Sequence, residues 1–168
     1  GGNEGFTNAK KEMLQEIDHT TGLEAELDDA QKDILDQIRK YDISFSAEKF
    51  LEGVQSAFEM IVVAFSKHDK KTLQSLIDAD VYKDFEFEIE RSANNNQRHD
   101  TTLVSIDSCT ILNIEKENNA AFITVKIKSD QITVIRAFDT NEIVSGDPSK
   151  IKTVEDVWTF SKDIKTYN

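Results

Sequence analysis

The stretch TTLVSIDSCTILNIEKENNAAFITVKIKSDQITVIRA, residues 101–137, decides the fold class. Its β-branched residues fall in short runs at 102–106, 110–114, 121–128 and 131–137, and runs of this kind bounded by polar residues predict strands. Ala121, Ile123, Val125 and Ile127 alternate with Phe122, Thr124, Lys126 and Lys128, the pattern of a strand with one buried face. Asn118-Asn119 reads as a hairpin turn and Asp139-Thr140-Asn141 as a second, so neighbouring strands are expected to run antiparallel. Downstream, Gly146-Asp147-Pro148 interrupts the chain before a last strand at 154–160, which carries Trp158.

Upstream of this stretch the period changes to that of helices. Ser46 is placed to cap a helix, with Phe45 and Phe50 at the two staple positions. Phe50, Val54, Ala57, Phe58, Ile61, Val62 and Phe65 then follow a 3.6-residue spacing to about Lys67. Asp69 can cap a shorter helix carrying Leu73, Leu76 and Ile77, and Asp78 or Asp80 another carrying Val81, Tyr82, Phe85 and Ile89. Phe85, Phe87 and Ile89 also alternate with Glu86, Glu88 and Glu90 as a strand would, but the cap and the Val81, Phe85, Ile89 spacing favour helix. The polar residues 94–100 read as a loop. Helices first and meandering strands second predict an α+β domain.

Residues 1–22 read as a flexible linker, and 23–44 as an acidic helical arm with its helix at about 24–40. Leu27, Ile34, Leu35 and Ile38 form a narrow apolar stripe on that arm. The stripe serves either packing on its own domain or, as a set of candidate partner-binding residues, docking on another protein.

The chain has 168 residues, about one domain on a prior of roughly 150 residues each. Lys and Arg number 20 against 32 Asp and Glu, a net charge of −12 that argues against a nucleic-acid ligand. The longest unbroken apolar run, 60–65, has six residues, against the roughly 18–20 that span a bilayer. The chain starts at Gly1-Gly2 rather than Met, which reads as a processed end with any anchor segment lying upstream.

The sequence holds no metalloprotease helix, glycine-rich phosphate loop, dinucleotide fingerprint or nucleophile elbow. His19, His68 and His99 fall on separate elements, so no metal or other cofactor is expected. The lone Cys109 reads as a bystander thiol. Asp156, two positions before Trp158, is the carboxylate expected to point inward, satisfied by backbone donors or by Arg136. Tyr82 with Asp156 is the one pair worth testing as an acid and base.

Residues 45–160 resemble the C-terminal domain family of the forty-four-kilodalton subunit of the mitochondrial inner-membrane import translocase, with its bacterial members. The resemblance rests on Phe50-Leu51-Glu52-Gly53, Ala57-Phe58-Glu59-Met60-Ile61-Val62, Ala64-Phe65, His68-Asp69, Leu73 with Leu76-Ile77, and Val81-Tyr82 with Phe85. It continues at Thr102-Leu103-Val104, Ser129-Asp130-Gln131-Ile132, Gly146-Asp147-Pro148 and Asp156-Val157-Trp158-Thr159-Phe160-Ser161. Two departures stand out: His68 occupies a position where bacterial members commonly carry glycine, and the chain ends before a final strand that such domains add, which would leave a sheet edge open.

The resemblance implies a nuclear-transport-factor-two-like (cystatin-like) cup, with helices packed on a curved antiparallel sheet around a pocket. It makes 45–168 one domain and Phe58, Phe65, Tyr82, Phe85 and Trp158 its candidate pocket-lining residues. It further implies a non-catalytic tether in protein translocation or inner-membrane protein assembly. The expected partners are translocase or other membrane proteins and a heat-shock-seventy chaperone. An upstream anchor would hold the domain at the cytoplasmic face of the inner membrane. Weak contact with anionic lipid is expected through Lys126 and Lys128, which project from one face of a strand, or through Lys67, Lys70 and Lys71. The alternative is a small-molecule or lipid-binding pocket protein of the same fold.

Overall fold

The computed structural model describes residues 9–12 and 27–164. Strand β1 (Ala9–Glu12) precedes four helices, α1 (Asp29–Tyr41), α2 (Ala47–Ser66), α3 (Lys70–Leu76) and α4 (Ala79–Asn94). Strands β2 (Gln97–Glu117), β3 (Ala120–Ala137), β4 (Ile143–Ser145) and β5 (Lys152–Asp163) follow. The sheet is antiparallel throughout, in the order β1-β5-β3-β2 with β4 on β3. Helices on one face of a curved sheet form the α+β cup that the residue pattern and the resemblance both called for.

Each helix start has a local cause. Asp28 and Gln31 form a reciprocal capping box on α1, at 2.8 and 3.0 Å. Ser46 Oγ accepts from Lys49 N at 3.1 Å, and the rings of Phe45 and Phe50 lie 6.0 Å apart as a staple at the start of α2. Asp69 caps α3, whereas Asp78 stands at the start of α4 with no side-chain cap bond.

The end of α2 accounts for the departure at position 68. Asp69 N donates to Ala64 O at 2.8 Å and His68 N to Phe65 O at 3.1 Å, the paired bonds of a Schellman turn. That turn needs a left-handed residue, and His68 supplies it at φ 56°. Glycine suits such a site because it has no Cβ. Here the imidazole stacks on Phe138, with ring centroids 5.2 Å apart.

The strands are fewer and longer than the sequence reading. The runs at 102–106 and 110–114 belong to one strand, β2, and those at 121–128 and 131–137 to one strand, β3. Pairing shifts between Leu103 and Ser105, Ile106 and Ser108, and Ile111 and Asn113 each insert one residue into β2. These bulges put Leu103, Ile106, Cys109, Ile111 and Ile114 on the core side at spacings of three, three, two and three instead of a steady two, and they bend the sheet over the helices. The expected loop at 94–100 shrinks to a tight turn, since α4 runs to Asn94 and β2 begins at Gln97. Asn96 takes φ 54° there.

The stripe on α1 faces inward. Leu27, Leu35 and Ile38 are buried and Ile34 is packed against them, in the same core as α2 and β5. The arm is thus part of the domain's own core, and those four side chains are not an open partner-binding surface. Lys162 Nζ on β5 holds Asp42 Oδ2, just past α1, at 3.1 Å. Within the expected linker, Ala9–Glu12 pairs with residues 157–160 along the outer edge of β5; the rest of 1–22 lies outside the described residues.

Candidate functional site

A cavity of about 450 Å³ opens between α2, α4 and the sheet. Phe58, Ile61, Val62 and Phe65 come from one face of α2, and Val81, Asp84, Phe85 and Glu88 from one face of α4. The sheet supplies Thr101, Gln131, Val154, Asp156 and Trp158. The 3.6-residue period explains each helical set, since residues three and four apart share a face. On β5, Asp156, Trp158 and Phe160 share the inner face because they stand two apart.

The aromatic residues form a connected wall. Phe65 meets Phe85 edge-on at 5.3 Å, and Phe85 stacks on Trp158 at 6.2 Å with planes 20° apart. Trp158 is 3% exposed, and its covered indole N–H has no acceptor among the described residues. Phe58, Phe65, Phe85 and Trp158 are therefore brought together around one space.

Tyr82 is not. It lies on the neighbouring side of α4, and its hydroxyl donates to Glu86 Oε2 at 3.1 Å, one helical turn on. Burial, followed by that bond to Glu86, raises the phenol above its ordinary value. Asp156 lines the cavity while Tyr82 does not, so the suggested acid–base pair is not assembled there. Nor does Arg136 serve Asp156: its Nε donates to Asp100 Oδ2 at 2.7 Å. Asp156 pairs in register with Ile127, whereas Arg136 pairs with Ile143, nine residues further along β3.

The proposed basic face is also altered. Lys126 lies between Thr110 of β2 and Val157 of β5 and is only 5% exposed, so it offers no open ammonium group; Lys128 is exposed. The strand alternation placed both on one face correctly, but a face of a central strand can be covered, and at Lys126 it is. In the second basic cluster, Lys70 Nζ is engaged by Glu90 Oε1 at 3.1 Å.

Other ionisable groups have structural tasks. Burial pushes the Cys109 thiol up to about 12, which leaves it protonated and a poor nucleophile at neutral pH. Burial first, and then Arg98, His99 and Lys70, hold His68 below its ordinary value. Among the described residues no group of His, Cys, Asp and Glu is arranged to hold a metal ion. No helix among them is long and apolar enough to cross a membrane.

Sequence reasoning passed over Asp84 and Glu88. Their signal was present: they stand four apart and flank Phe85 on the α4 face that also carries Val81. Gln131 and Val154 were beyond reach, because only the β3–β5 pairing brings them beside the helices.

No curated protein matches the chain. A solved structure of the intermembrane-space region of the chloroplast protein ARC6 is similar at 17% identity, over 68% of this chain and 89% of that one, with a TM-score of 0.43. The profile of the Tim44-like domain, by contrast, matches residues 31–168, from within α1 to the end of the chain. That span takes in every helix and strand that walls the cavity, and the chain belongs to the Tim44-like domain family.

Proposed function

We propose that this domain is a non-catalytic tether in protein translocation or inner-membrane protein assembly. The observation that carries the reading is the family membership over residues 31–168. In this reading the folded cup is the docking body for translocase or other membrane proteins and for a chaperone. Attachment to the cytoplasmic side of the inner membrane comes through a partner or an anchoring segment. The charge of −12 opposes direct binding to anionic lipid. With Lys126 covered and each exposed lysine contributing about 1 kcal/mol, lipid contact by the domain itself is weak and salt-sensitive.

Crosslinking in the native cell, followed by identification of the captured proteins, tests the reading. Translocase, chaperone or membrane-protein partners are expected. A capture that yields none of them sinks it.

The cavity favours a second reading, a ligand-binding pocket. Its volume of about 450 Å³ falls in the range of small-molecule sites, and its walls are chiefly apolar. Native mass spectrometry of protein purified from its own cell would reveal a bound adduct, and a bare mass would count against this reading.

A further inference from the structure

We propose that the cavity under α4 takes an organic cation: an apolar body carrying an ammonium or guanidinium group. The inference rests on the pocket reading above and names the class of its ligand. Among the described residues, the ionisable side chains that line the cavity are Asp84, Glu88 and Asp156, all acidic, with no Lys, Arg or His beside them. Asp84 and Glu88 lie one turn apart on α4, on either side of Phe85, so both carboxylates border the space that the aromatic wall encloses. Asp156 stands deeper, 8% exposed, on the strand position two before Trp158.

Arg91 approaches Glu88 at 3.2 Å, but this exposed pair on one helix does little to cancel the field inside the cavity. The remaining polar lining, Thr101 and Gln131, is neutral. Carboxylates around a poorly hydrated space attract a cation more strongly than they would in water. Phe85 and Trp158 line the same space, and a cation that reaches an open ring face gains attraction of the same sign, since aromatic quadrupoles are negative over the ring. An anionic headgroup or a fatty-acid carboxylate would meet repulsion from Asp84 and Glu88. The charge thus separates this site from one built for anionic lipid.

Trp158 is the single tryptophan of the chain and lines the cavity, so its emission reports occupancy. The whole chain is titrated with phenylbutylamine, phenylbutanol and phenylbutyrate, which share one apolar body and differ in charge, with calorimetry in parallel. A fourth arm uses a short Arg-Phe peptide, to tell a free amine from a partner's side chain.

The expected result is saturable binding of phenylbutylamine or of the peptide, at least about tenfold tighter than phenylbutanol, a margin of about 1.4 kcal/mol, with phenylbutyrate weakest. Combining Asp84→Asn with Glu88→Gln should cost the cation about tenfold and leave phenylbutanol unchanged. These two side chains lie at the mouth, outside the buried core, so the variant is expected to fold. Equal binding of the three small probes, or cation affinity untouched by the double variant, overturns the charge selectivity and leaves the pocket reading standing. Absence of binding in every arm overturns both.

Discussion

Helices α1 and α4 have similar sequences in outline and opposite fates. Each carries one apolar stripe at helical spacing; the acids of α1 are balanced by Lys32, Arg39 and Lys40, whereas α4 keeps an acidic excess. On α1 the stripe closes against protein, with Leu35 and Ile38 at 1% and 0% exposure. On α4 the stripe closes only in part: Ile89 is buried, while Val81 and Phe85 face a cavity with Asp84 and Glu88 beside them. A 3.6-residue period marks the side of a helix kept from bulk water. It does not say whether protein or empty space stands opposite.

The comparison can be broken by truncating each stripe in turn. Leu35→Ala removes a fully packed side chain and should cost about 3 kcal/mol, read from the midpoint of urea unfolding. A loss under about 1 kcal/mol would mean that α1 is not held as a core element. Phe85→Ala should cost less, about 1–2 kcal/mol, because the half-buried ring already borders open space and its loss enlarges a cavity rather than creating one. It should also shift Trp158 emission, since the two rings stack. Equal losses at the two sites would erase the distinction between the helices.

Acid sharpens the contrast at the far end of α1. The Ser44 hydroxyl first, and then Lys162, hold the Asp42 carboxyl below its ordinary value of 3.8. A carboxyl depressed in the folded state stabilises the protein above its unfolded value, and that contribution is lost as pH falls through the folded one. Hydrogen exchange should therefore show the end of α1 loosening below about pH 4 ahead of the aromatic wall, and Asp42→Asn should remove the acid-dependent share. A uniform loss over both helices would contradict the local role of Asp42.

The smallest effect is expected at the turn that leads from α2 into α3. His68 holds a left-handed conformation that glycine adopts freely, offset by its contact with Phe138. In a Phe138→Ala background, His68→Gly should raise stability by about 0.5–1 kcal/mol by urea unfolding. A loss would mean that the imidazole makes other stabilising contacts.

Much of this architecture was legible in the residues. Caps at Ser46 and Asp69, the staple of Phe45 and Phe50, and the Asn118-Asn119 turn are local signals, and the structure uses them all. The sequence splits β2 in two because bulges at Val104, Asp107 and Leu112 disturb the period of two, and a bulge is visible only through the partner strand; it splits β3 at the polar pair Ser129-Asp130, which the strand runs straight through. Burial of Lys126 escaped for a related reason: alternation assigns a residue to a face, and only the packed sheet settles how covered that face is.

The candidate site divides in the same way. The periodicity of α2 and α4 already grouped Phe58 with Phe65 and Val81 with Phe85, since side chains three and four apart must share a face. Which of these meet Trp158, that Tyr82 turns instead to Glu86, and that Asp84, Glu88 and Asp156 surround one space depend on contacts between elements far apart in the chain. The sequence by itself determined the elements, their caps, their order and their charge, because those follow from neighbours a few residues away. Tertiary structure alone decided that one amphipathic helix closes on the core while another borders a cavity, because a void is the space that several separately formed surfaces leave unfilled.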